Sequence, residues 1–526
     1  MDQLVLMFAL LFATILAEPA ARRIGVASPV LMTVIGCALA LVPAVPRIHI
    51  PPDLILPLVL PPLLYAAARR TSWHQFAENW GPIALRAVGL VIATTAAVAA
   101  VFHAWYPALP VAAAVVLGAI VAPPDPVAAT ALASRLGLPR RLVVVLGGEG
   151  LFNDATAIVV YTVAVQAVVT GQFSTLRALG ELVVSAVVAV AVGLALGVFG
   201  TRLTNRLAEA SWQVALSLLL PFAAYGFAEA WHGSGVLAVL VCALYLTDAV
   251  TEFTDRDYRL VGDSFWEIIE MLLSGFAFGL IGLELGVVLE ATGGGRPKLL
   301  GVASAVVATV VVLRLLWLLS TWAVGRTWIR DHDADEPYTW REVVVTWWAG
   351  MRGVATVALA LAIPLLTEAG ADFPGRTEIL FTAFAVVLFT LLLQGPTLPL
   401  VVRWTGVHAD TAAERELERR LWDRVVRAQM SRLKEIAETE HLPDELYERM
   451  RDQFRQRYTR ADPEAADADA RAQMLRDAKM AKRLRAIRAE VMEAGLREVQ
   501  SARREPGMPA DLVDRVTRRL DLGPTK

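Results

Sequence analysis

The chain has 526 residues, of which 56% are hydrophobic, and its mean hydropathy is +0.52; a soluble domain cannot cover that much apolar side chain with its own polar surface, so bilayer is the expected solvent. Basic and acidic residues nearly balance, 49 against 51, which leaves no field to gather nucleic acid, and no basic-aromatic platform for stacking bases is present. The two cysteines, Cys37 and Cys242, lie in separate apolar runs and form neither a disulfide framework nor a thiolate metal site.

Apolar stretches near the roughly 20 residues that cross a hydrocarbon core occur thirteen times, at about 3–18, 27–44, 53–68, 83–105, 112–134, 141–169, 177–200, 212–230, 234–250, 266–289, 299–324, 343–366 and 377–402. Such continuous runs predict helices and not a barrel, so the fold class is an all-α polytopic membrane protein. The first stretch lacks the positive leader of a signal peptide and reads as a retained span.

Short-loop arginines set the orientation, because basic residues resist translocation. One set of alternate loops carries Arg22, Arg23, Arg69, Arg70, Arg135, Arg140, Arg141, Arg202, Arg206, Arg256, Arg259, Arg326, Arg330 and Arg341, whereas the other has only Arg47, Arg177, Arg296, Lys298 and Arg376. This predicts a bacterial inner-membrane protein with its N-terminus outside and its C-terminus cytoplasmic. From about residue 405 the composition switches to mixed charges with apolar residues at helical spacing, which predicts a soluble helical tail over 405–526. The segment TRADPEAADADARAQ reads as a polar connection and PGMPADLVDRVTRRLDL as a turn followed by a short helix. A regulatory or dimer-packing tail and a merely solvated one fit equally.

Polar side chains inside the spans carry the functional signal, since each costs several kcal/mol in lipid unless paired or wet. In the fifth span Pro123, Pro124 and Pro126 surround Asp125. Proline removes amide donors and clashes with the preceding turn, so the helix is expected to break there, exposing carbonyls beside a carboxylate. The alternative is a proline kink with Asp125 as a helix cap. In the sixth span Glu149, Asn153 and Asp154 fall within about a turn and a half, with Glu149 and Asn153 on one face. A buried carboxylate favours its protonated form and a bound cation favours the ionised one, so proton and cation compete for Asp154; the alternative is a polar residue that ties helices together.

In the twelfth span Arg352 lies between Gly350 and Gly353, residues that permit unwinding or close helix approach. Its permanent charge requires a counter-ion, for which Glu149 is the preferred partner, unless the side chain snorkels to the cytoplasmic rim. Arg314 and Glu284 are weaker signals, since a place near an interface would explain either, and no transport role is assigned to them.

These segments resemble the cation:proton antiporters of the NhaP and NHE branch. GGEGLFNDATAIVV is similar to that family's GESLLNDATALV, APPDPVAATA to its TDPVA segment, GMRGVATVALALAIP to GLRGAVSLALALSLP, and LPPLLYAAA to LPPLLFEAA, in family order across about 400 residues. The resemblance implies two inverted repeats (spans 1 to 6 and 8 to 13) with broken crossing helices 5 and 12. It implies a transmembrane domain over 1–404, divided into core helices at about 83–169 and 299–402 and dimerisation helices at about 3–68 and 177–289. Asp154 and Asp125 are then the cation- and proton-binding carboxylates, with Asn153 and position 124 supporting them, and Glu149 pairs with Arg352. The Asn-Asp order points to electroneutral one-for-one exchange.

Three positions depart from the family pattern: Pro124 stands where the family has threonine, Gly150 where it has serine, and Ala66 where many relatives have glutamate. The first two remove oxygen ligands, which leaves sodium, lithium and potassium all open as the cation. The expected function is sodium/proton antiport by alternating access in a membrane-embedded homodimer, without cofactor or nucleic acid. Potassium/proton exchange and a cation channel are the alternatives. No HExxH, nucleophile elbow or P-loop occurs, so an enzyme is not expected.

Overall fold

The computed structural model describes residues 2–42, 52–69, 81, 84–125, 136–171, 175–251, 256–291, 296–328, 339–409, 411–440 and a few positions up to Arg451. The second half of the expected fifth span, the acidic connection and the final short helix lie outside the described residues. The chain divides into two compact units, Met1–Ala409 and Asp410–Lys526.

The first unit is all-helical. In chain order its helices are α1 (Asp2–Ile24), α2 (Ser28–Ala40), α3 (Pro52–Ala68), α4 (Leu85–Trp105), α5 (Val111–Val121), α6 (Arg140–Thr170) and α7 (Thr175–Thr204). There follow α8 (Ala210–Ala230), α9 (Gly235–Thr251), α10 (Arg256–Ala291), α11 (Arg296–Trp328), α12 (Trp340–Trp348), α13 (Val354–Leu361) and α14 (Arg376–Thr405). Among the described residues eight helices are long and apolar enough to cross a membrane, and four shorter apolar ones accompany them. The chain is thus an all-α, multi-pass membrane protein.

Local chemistry punctuates these helices. Pro110 and Pro139 stand at the N-caps of α5 and α6, where a missing N–H costs nothing. Glycines with left-handed φ, Gly171 at 68° and Gly406 at 66°, end α6 and α14, as expected of a residue without a Cβ penalty. Helix α12 opens on a capping box: Thr339 Oγ1 accepts the Glu342 N–H at 3.3 Å while Glu342 Oε2 accepts the Thr339 N–H at 2.7 Å. Helix α14 is α-helical to Phe389, passes through a π-turn at Thr390–Gln394 and resumes as α-helix at Gly395.

Buried apolar side chains form two main clusters. The larger gathers residues of α1, α2, α4, α5, α6 and α11 to α14 with Ala277, Phe278, Leu280 and Ile281 of α10. The smaller gathers α3, α7, α8 and α9 with Trp266 of α10, and it also takes Ala155 of α6 and Ala355 of α13. Helix α10 therefore serves both, and the seam between clusters runs beside residues 154 and 354.

Close helix approach in the larger cluster depends on glycine. A Cβ at Gly36 of α2 would overlap the Gly279 carbonyl of α10, and one at Gly282 would overlap the Thr33 carbonyl and the Cys37 amide. Backbone thus meets backbone, the geometry that drives helix association where lipid supplies no hydrophobic effect.

In the second unit, helix α15 (Thr411–Glu440) carries exposed ion pairs one turn apart, Arg419 with Glu416 at 2.7 Å and Arg432 with Glu435 at 2.6 Å. Such pairs contribute little each.

Gly282→Ala is expected to destabilise the protein by about 1–3 kcal/mol through overpacking, read as a fall in the melting temperature of detergent-purified protein. Gly226→Ala, at a glycine with open space around it, should leave that temperature unchanged.

Candidate functional site

The site forms where the non-helical segment that follows α5 meets the gap between α12 and α13. Helix α5 ends at Val121 and the chain runs non-helically through Ala122–Asp125; α12 ends at Trp348 and helix resumes only at Val354. The two unwound segments are joined directly. The Asp125 N–H donates to the Met351 carbonyl at 2.7 Å, and Asp125 Oδ2 accepts the Val354 N–H at 3.1 Å. Val354 is the first residue of α13, so Asp125 satisfies one of that helix's orphan amides and lies at the positive end of its dipole. Glycine is required at 353, because a Cβ there would collide with the Asp125 carboxylate.

Carbonyls left over at the breaks are claimed by two side chains. Asn153 Nδ2 donates to the Pro124 carbonyl at 3.0 Å. Arg352 donates from Nε to the Val121 carbonyl at 3.1 Å and from Nη2 to that of Ala122 at 3.4 Å, with Nη1 on the Gly350 carbonyl. The guanidinium thus caps the negative ends of both α5 and α12. At 2% exposure it is buried, so it does not snorkel to the rim.

The expected ion pair of Glu149 with Arg352 is corrected by the structure. Glu149 Oε1 pairs at 2.6 Å with Nη1 of Arg314, both side chains 2% exposed, and Arg314 Nη2 also donates to the Thr346 carbonyl at 3.3 Å. Arg352 stays within electrostatic reach of Glu149 and Arg314, but main-chain carbonyls occupy its donors. Arg314, to which the sequence reading assigns no role, is the residue that was missed. One signal pointed to it: a permanent charge well inside the apolar stretch Pro297–Val324, which requires an interior partner.

Asp154 is buried within electrostatic reach of Asp125. Its Oδ1 and the Oδ1 of adjacent Asn153 are both buried without a hydrogen-bond partner among the described residues. Buried polar atoms are normally satisfied, so both oxygens keep acceptor capacity that the described residues do not use. Asp125, Asn153 and Asp154 are therefore brought together as the sequence suggested, with the Pro124 carbonyl, and not its side chain, as the contribution of position 124.

The profile described as "Sodium/hydrogen exchanger, transmembrane" matches residues 7–404. The chain belongs to the sodium/hydrogen exchanger family. A Mycobacterium tuberculosis protein described as an uncharacterized Na+/H+ exchanger is 37% identical over 421 residues, covering 79% of this chain and 77% of that one. The Na+/H+ antiporter ApNhaP of Aphanothece halophytica is 30% identical over 387 residues, covering 73% and 71%. Among solved structures, the sodium proton antiporter MjNhaP1 of Methanocaldococcus jannaschii at pH 8 is similar in fold, with a TM-score of 0.58 at 21% identity over 77% of this chain and 99% of that one.

The geometry of the exchanger predicts two outcomes. Glu149→Gln leaves Arg314 as a buried unpaired charge and should destabilise the fold by about 3–5 kcal/mol, whereas the double variant Glu149→Leu/Arg314→Met should recover most of that loss in thermal unfolding. Gly353→Ala should abolish transport in protein that still inserts into the membrane, because the new methyl displaces Asp125.

Proposed function

We propose that Asp154 is the carboxylate at which a sodium ion and a proton compete, with Asn153 beside it and Asp125 opposite. The family's activity is secondary exchange of sodium, or a related monovalent cation, for protons by alternating access, and its members are transporters and not enzymes. The observation that carries the site assignment is the pair of buried, unpartnered oxygens on Asp154 and Asn153 at the meeting point of the two unwound segments.

Competition at one carboxylate is sufficient for exchange. An ionised Asp154 in this interior is unfavourable by itself, and either a proton or an alkali cation relieves it. Movement of the empty charged form is then disfavoured, which couples the two fluxes.

Competition at a single carboxylate sets the stoichiometry: one proton or one sodium ion balances the charge of Asp154, so the two loaded forms carry the same charge and exchange is one for one and indifferent to membrane potential. Lithium and potassium satisfy the same balance, and the ligands lost at Pro124 and Gly150 leave water to complete their coordination.

The interruptions at 122–125 and 349–353 are read as the broken fifth and twelfth spans of a protein with thirteen, arranged as two inverted repeats. The unit carrying them, about 83–169 and 299–402, moves against helices 3–68 and 177–289, which form the dimer contact. The N-terminus lies outside the cell, and the tail from 405 is cytoplasmic and available for regulatory contacts.

The test is transport by purified protein in liposomes that hold a pH dye inside. Addition of sodium against an imposed proton gradient should move protons at a rate unchanged by a valinomycin potential clamp, and parallel runs with lithium and potassium name the preferred cation. Asp154→Asn should lower that rate at least about 100-fold, as expected for a group that contacts the transported ion, while folding is retained. Proton movement without cation dependence would remove the antiport reading, and full transport by Asp154→Asn would remove this residue from the site.

A further inference from the structure

The geometry points to Thr390 as a positioning residue for the cation site: its hydroxyl, presented by the π-turn of α14, fixes the main chain from Met351 to Val354 and through it Asp125. The inference rests on the reading of Asp125 and Asp154 as the cation site.

Asp125 is held at both ends by that short stretch of backbone, its N–H by the Met351 carbonyl and its Oδ2 by the Val354 N–H. Between the two lie Arg352 and Gly353. Gly353 has no side chain to anchor it, and the Arg352 side chain is occupied at the carbonyls of Val121, Ala122 and Gly350. The Arg352 N–H is held by Thr390, whose Oγ1 accepts it at 3.0 Å and donates to the Val387 carbonyl at 3.1 Å. Thr390 is fully buried, so no water can take over this bond.

Other threonines in the same part of the fold behave differently. Thr346, Thr382 and Thr405 donate back to carbonyls of their own helix at Glu342, Glu378 and Val401 and accept nothing from another element in these bonds. Thr390 stands at the first position of the π-turn Thr390–Gln394, an irregularity common at functional sites because it re-aims the side chains around it. Seven residues further along α14, Thr397 Oγ1 accepts a hydrogen bond from Trp348 Nε1 at 2.9 Å. Helix α14 therefore grips the interruption twice, at the last residue of α12 and at Arg352.

Loss of the hydroxyl leaves the Arg352 N–H buried without an acceptor and frees the backbone that sets Asp125. Cation affinity should fall while the exchange machinery remains intact. In the liposome assay Thr390→Val should raise the KM for sodium about tenfold, the effect of one buried hydrogen bond, with maximal rate within about twofold of wild type. Thr390→Ser, which keeps the hydroxyl, should restore the KM. A purely structural threonine would instead lower the yield of folded protein and the maximal rate at unchanged KM, and that result, or an equal KM increase in the serine variant, overturns the proposal. Should Thr390→Val not be recovered folded, sodium-dependent thermal stabilisation of Thr390→Ala against Thr390→Ser in detergent decides the same point: equal sodium response in both refutes the role. Wild type run alongside separates the two levels. Silence of wild type towards every cation refutes the site reading, whereas an exchanging wild type with an unaltered Thr390→Val refutes the positioning role alone.

Discussion

Peptide groups freed inside an apolar interior must find partners, and that constraint organises this protein. Where α5 and α12 stop in mid-domain they release carbonyls and amides that neither lipid nor water can satisfy. Each is met by a specific side chain: Arg352 takes the carbonyls of Val121 and Ala122, Asn153 that of Pro124, Asp125 the amide of Val354, and Thr390 the amide of Arg352. Two of the residues that make the interruption tolerable are near Asp154: Asn153 adjoins it in the chain, and Asp125 lies within electrostatic reach of it.

Charge follows from the same constraint. A guanidinium is the side chain suited to several carbonyls at once, because its donors form a fixed fork and its charge complements helix C-terminal ends. With Arg352 spent on carbonyls, Glu149 needs another partner, and Arg314 on α11 supplies it at 2.6 Å. Such a buried pair adds little net stability, but breaking it is severe, so it locks α6 to α11 and to α12 through the Thr346 carbonyl. Asp154, by contrast, has no ion pair among the described residues, and its Oδ1 is buried without a hydrogen-bond partner there.

Packing complements the electrostatics. Backbone-to-backbone approach at Gly36 and Gly282 binds α2 to α10, and α10 contributes to both buried clusters. Asp125 and Asp154 therefore sit beside the seam between the two buried clusters, which α10 spans.

Much of this was legible in the sequence because it is local. Apolar runs of span length follow from the thickness of a bilayer, and the loss of helical structure just before Asp125 from proline chemistry. What the sequence could not contain was the choice among partners far apart in the chain. Glu149 had two buried arginines available, and sequence reasoning chose Arg352 because it weighed charge against charge; the fold gave Arg352 to the carbonyls of α5 and brought Arg314 to Glu149 instead. Thr390 likewise looked like any helical threonine until the π-turn placed its hydroxyl against the Arg352 amide. Composition and periodicity determine what must be buried and where a helix must fail, but hydrogen-bond partners are set by distances of about 3 Å that exist only once the helices have packed.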